Sequence, residues 1–125
     1  MGGQESFDTK DFTSGVNRFL DSLRPLYRHG KYDLLTEKVG IMRPFVEEAE
    51  NRQHHLIKRI TRWTELLNKD ITVNDFCLNF LSDDCFELNE LYRSLQKIND
   101  FRAALSQDDR YQEYLSAAGN ACGAA

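Results

Sequence analysis

The sequence predicts an all-α fold: a compact single-domain bundle of five to six amphipathic helices. Three observations carry this. Apolar residues recur three or four positions apart almost throughout, with no alternating run long enough for a strand. The breaks between periodic segments are short, and only two prolines interrupt the chain. At 125 residues, 41% hydrophobic and 29% charged, the chain can bury one core and is too apolar for a disordered polymer.

Phe12, Val16, Phe19, Leu20 and Leu23 line one face of a first helix, capped by Asp8 or Thr9 and disturbed at Pro25. Gly30 closes it. Tyr32, Leu35, Val39 and Met42 mark a short second helix with Gly40 as a weak point. Pro44 suits the first turn of a third helix, where its missing N–H costs nothing. Phe45, Ala49, Leu56, Ile60, Trp63 and Leu67 follow as its stripe, ending near Asn68. Thr72 with Asp75 resembles a capping box for a fourth helix containing Phe76 and Phe80. Ser82, Asp83 and Asp84 mark another start, leading to Leu88, Leu91, Leu95, Ile98 and Leu105. Ser106 and Asp109 open a last short helix through Tyr111, Tyr114 and Leu115, stopped by Gly119.

This divides the chain into a flexible N-terminus (1–8), a helical bundle (9–118) and a small-residue tail (119–125). Phe19, Leu23, Leu56, Ile60, Trp63, Leu91, Leu95 and Ile98 are the expected core. Cys77, Cys85 and Cys122 form no CxxC pair and read as reduced thiols, Cys77 and Cys85 as small apolar packers beside phenylalanines. No window resembles a membrane span or a cleaved signal.

The most unusual stretch is "RQHHLIKRITRW", residues 52–63, with four formal positive charges and no carboxylate in a chain of net charge −4. At about 100° per residue, Arg52, His55, Lys58, Arg59 and Arg62 share roughly a third of the helix circumference. Leu56, Ile60, Trp63 and Leu67 occupy a separate arc. The basic face can bind an anionic membrane or an acidic protein partner, or it can pair with the acidic cluster Asp83, Asp84, Glu87 and Glu90. One stripe of this charge gives weak phosphate affinity, which argues against nucleic acid. His54 and His55 point about 100° apart and make a poor metal pair, and no metal site or cofactor is expected.

The chain starts "MGGQES", and Gly2 with Ser6 fits the N-myristoylation pattern M-G-x-x-x-[ST]. One acyl chain gives only marginal membrane binding, and the 52–62 stripe would supply the second element. Cys122 stands where a C-terminal CaaX box would place its cysteine, but Gly123 and Ala124 replace the aliphatic pair and argue against prenylation. There is no GxSxG elbow, HExxH, phosphate-binding glycine loop or EF-hand spacing, so no catalytic residues and no enzyme are expected.

These features imply a non-enzymatic α-helical interaction or adaptor module, cytoplasmic and able to sit on the cytoplasmic face of a membrane. It would engage a protein partner and is compatible with a homo-oligomer. Gly2 together with the basic helix face resembles the organisation of retroviral Gag matrix domains, which implies a membrane-targeting structural role. The helix count is also similar to that of death-fold homotypic interaction domains.

Overall fold

The computed structural model describes residues 7–69 and 75–123, the side chains of 75–77 and 120–123 excepted, and the described residues form four helices, not five or six. They are α1 (Thr9–Arg28), α2 (Tyr32–Asn68), α3 (Asp75–Ser106) and α4 (Asp109–Gly123). No strand occurs among the described residues. Gly2 and Thr72, and the side chains of Asp75, Cys77 and Cys122, lie outside what is described.

Asp8 is the cap of α1, its carboxylate accepting from the Asp11 backbone N–H at 3.1 Å. Pro25 is exposed and inside the helix, which continues for three more residues. Gly30 then takes the left-handed conformation at φ 68°. Its N–H donates to the Tyr27 carbonyl at 3.2 Å, and the next N–H, of Lys31, donates to Leu26 at 2.9 Å. These two bonds satisfy carbonyls that the helix end would leave open, and glycine adopts the required φ at no steric cost.

The expected break between a second and third helix does not occur, because the apolar pattern keeps one phase across it. Leu35, Met42, Ala49, Leu56 and Trp63 recur every seven residues, and Val39, Val46, Ile60 and Leu67 fall four residues after members of that series. A break at Gly40–Pro44 would throw one half of this seam out of register. Pro44 removes a single backbone bond, to Gly40, and both residues are exposed, where water can solvate the freed carbonyl. Burial of one continuous seam outweighs that loss.

The same logic removes the expected helix start at Ser82. Asp84, Leu91, Ile98 and Leu105 recur every seven residues, with Leu88 and Leu95 between them and Leu81 three residues before the first. Asp84 is not a cap. It is 3% exposed and occupies a seam position. At the far end the cap of α4 is Asp108, accepting from the Tyr111 backbone N–H at 2.8 Å, in place of Ser106 or Asp109. The helix then runs through Gly119 to Gly123.

α1, α2 and α3 pack against one another around a core that includes Val16, Leu23, Leu35, Leu56 and Leu91, each with no exposed surface. Of the expected core residues, Leu23, Leu56, Leu91, Leu95 and Ile98 are buried. Phe19 packs on the rim, and Ile60 and Trp63 are half-buried. α4 packs on α3 and closes one end, where Tyr111 and Tyr114 meet Tyr32 and the Tyr27 hydroxyl donates to Asp108. α1 begins level with Glu87, so the turns of α2 beyond Arg52 and of α3 before Glu87 run past it. No described helix is long and apolar enough to cross a membrane.

Candidate functional site

The basic stretch divides into two groups with different surroundings. Arg52, half-buried, and Arg59, still exposed, reach across to carboxylates of α3. Arg52 makes a two-pronged contact with Glu87, Nε to Oε2 and Nη2 to Oε1, both at 2.8 Å. The Thr9 hydroxyl donates to the same Oε2 at 2.6 Å, so this junction ties the first turn of α1 to both long helices. One heptad further along α2, Arg59 Nη2 donates to Asp84 Oδ1 at 2.8 Å, and the Trp63 indole N–H donates to Oδ2 at 3.3 Å. Trp63 also stacks on Phe80, centroids 6.0 Å apart and rings tilted by 12°.

His55, Lys58 and Arg62 remain on the outer face and are exposed. None of the three has an ion pair or hydrogen bond among the described residues. Of the four acids set against the stripe, Glu87 and Asp84 are engaged by it, whereas Asp83 and Glu90 line the groove beside it.

Seam curvature explains the split. A strict seven-residue repeat drifts about 20° per heptad on a straight helix, so a buried seam of that period winds around α2. By residues 52–67 it has moved towards the basic arc, and Arg52 and Arg59 lie within about 40° of Trp63. Charged heads at the edge of a seam reach carboxylates on the facing helix. Glu87 and Asp84 provide them.

The Arg52 guanidinium is the chief cause holding the Glu87 carboxyl below its ordinary value, the Thr9 hydroxyl adds to the effect, and partial burial opposes it. Arg52 is correspondingly held above its usual value by Glu87. The folded Glu87 value is depressed, so its stabilisation is complete above the unfolded value of 4.5 and is lost as pH falls through the folded one. Glu87→Gln is therefore expected to flatten the acid limb of the stability profile below about pH 4.5. Urea midpoints at neutral pH and about pH 3 check this; an acid limb unchanged by the substitution would remove Glu87 from the account.

Beside this junction an open groove of about 840 Å³ lies between the start of α1 and α3. Phe7 and Phe86 give it apolar walls, and Lys10, Arg52, Glu87 and Glu90 give it charge. The Arg52 and Glu87 heads are engaged with each other, and among the described residues every buried polar side-chain atom has a partner. The polar interior is thus satisfied from within. Among the described residues no three His, Cys, Asp or Glu side chains are grouped to hold a metal ion.

Several apolar residues sit where periodicity did not place them. Phe45, expected on the stripe of a third helix, and Phe80, expected in a fourth, are 53% and 38% exposed, and Phe86 is 65% exposed. Cys85 is exposed too, not an apolar packer. Leu34 and Ile41, on α2 with Phe45, are 42% and 58% exposed. These three are seven and four residues apart, within about 40° of one another around the helix, and form an apolar stripe outside the core. The sequence signal was available: counted in steps of three and four from Leu34, a second seam runs beside the first.

Comparison with known proteins finds no matching family, no matching curated sequence and no matching solved structure.

Proposed function

We propose that the protein is a non-enzymatic helical interaction module whose contact surface is the outer face of α2. The observation that carries this is the exposed stripe Leu34, Ile41 and Phe45. Single exposed apolar residues are ordinary, but three large ones aligned along the longest helix form the kind of face that another helix covers. The interior polar contacts are consistent with this reading, since Arg52 with Glu87 and Arg59 with Asp84 tie the helices to one another. A photo-cross-linking amino acid at position 45, in cells producing the full chain, is expected to form adducts with polypeptide. Those adducts should disappear with Ile41→Asp, and the same reagent at exposed Tyr92 on α3 should give none. Failure to trap polypeptide from position 45 would overturn the reading.

A second reading keeps the anionic surface. His55, Lys58 and Arg62 stay outward and uncommitted among the described residues, and an acylated Gly2 would add the apolar anchor that they lack. Lys58→Glu with Arg62→Glu is expected to weaken binding to phosphatidylserine vesicles by roughly fivefold to tenfold per residue, at about 1 kcal/mol per basic residue near such a surface. The melting curve should barely change, and wild-type binding should weaken with salt. Vesicle binding that ignores both the salt and the two substitutions would end this reading.

A further inference from the structure

We infer that the outer stripe of α2 pairs with the same stripe of a second copy, the two helices antiparallel. The inference rests on the docking role proposed for this face and names its occupant. Followed in steps of three and four, the face reads Lys31, Leu34, Lys38, Ile41, Phe45, Glu48. All six are exposed, and Lys31 immediately precedes the helix. Leu34, Ile41 and Phe45 with Lys38 among them hold the middle, Lys31 stands outside them at one end and Glu48 at the other.

That order complements itself only when reversed. In an antiparallel pair centred between Lys38 and Ile41, Leu34 lies opposite Phe45 of the second copy. Ile41 lies opposite Lys38, whose methylene stem covers it while the ammonium reaches water. Lys31 lies opposite Glu48, so both ends close on opposite charges. In a parallel pair in register, Lys31, Lys38 and Glu48 each meet their own copy, and every charged contact on the face is repulsive. Charge complementarity therefore selects a second copy and fixes its direction. A two-fold axis gives every contact twice, as closed homodimers require. The three-and-four spacing suits two helices crossing at a shallow angle. Three large apolar residues per copy make a small interface, so the dimer is weak and concentration-dependent.

The test uses the full chain with Cys77→Ser, Cys85→Ser and Cys122→Ser as background. Leu34→Cys and Phe45→Cys are introduced in separate, differently tagged copies, which are mixed and mildly oxidised. The expected product is the mixed 34–45 disulfide, forming faster than the 34–34 or 45–45 species. Sedimentation of the unmodified protein should show a monomer–dimer equilibrium. Phe45→Asp should weaken it roughly tenfold to a hundredfold, since burial of one large apolar side chain is removed. Lys31→Glu should also weaken the dimer, and adding Glu48→Lys should restore it. These positions are exposed, so circular dichroism should match the parent chain. A strictly monomeric protein, or a 45–45 disulfide as the main product, overturns the inference. If position 45 still traps other polypeptides in cells, self-pairing alone falls; if it traps none, the docking role falls too.

Discussion

Leu91→Ala is expected to lower the unfolding free energy by about 2–5 kcal/mol, a large share of what a small domain possesses. Leu91 has no exposed surface and lies in the α3 seam between Leu88 and Leu95, facing the core of all three long helices. Truncation removes the transfer energy of its branched end and leaves a cavity that packed neighbours on three sides cannot fill. Leu23→Ala on α1 and Leu56→Ala on α2, at equally buried positions, should fall in the same range. Trp63→Ala should cost less than its size suggests, because the ring is half-buried and keeps one face towards Phe80 and the surface. Phe86→Ala, at 65% exposure, should lie within about ±0.5 kcal/mol. Urea midpoints at constant slope measure all of them. A Trp63→Ala loss as large as that of Leu91→Ala would place the indole in the core after all.

The all-helical class was legible because three-to-four spacing is a strong and repeated signal. The helix count was not, and the reason is specific. Pro44 and the Ser82–Asp84 triplet each carry the local chemistry of a helix start, but each sits inside a seam whose seven-residue phase never shifts. Tertiary burial along the seam overrides a single proline or a capping-type side chain. The drift that brings Arg52 and Arg59 to the edge of the seam is also what puts Phe45 outside it. A straight wheel puts Phe45 and Trp63 at the same angle, yet the seam drifts between them, so one is on the outside and the other at the seam's edge. Charge alone could not divide the basic stripe either. The division depends on which residues of α3 stand opposite, and that register is set by packing of the whole hairpin.

That register gives the second large effect. Arg59→Glu is expected to be the most damaging surface-reaching substitution on α2, costing about 3 kcal/mol or more. It removes the cation from a carboxylate that is 3% exposed and sets another carboxylate beside it. Arg59→Ala should cost less, about 1–3 kcal/mol, because Trp63 still donates to Asp84 and the Arg59 side chain is itself 46% exposed and partly screened. Asp84→Leu behaves differently. It restores an apolar residue to the seam, while Arg59 turns to water and the Trp63 N–H loses its acceptor, so the net change is expected to stay within about 1 kcal/mol of zero. In the Arg59→Glu background the same change should recover most of the loss, with a coupling energy of about 1–3 kcal/mol. A seam carboxylate that adds little stability but accepts bonds from two fixed donors is suited to holding α2 and α3 in one register, as lone polar residues do in coiled coils. Asp84→Leu should therefore keep its thermal midpoint nearly unchanged while losing uniqueness, seen as broadened amide resonances or new oligomers. Reversing Lys58 and Arg62, which have no partners among the described residues, should leave the midpoint in place. A protein in which Asp84→Leu is as damaging as Arg59→Glu would instead depend on the ion pair for its stability.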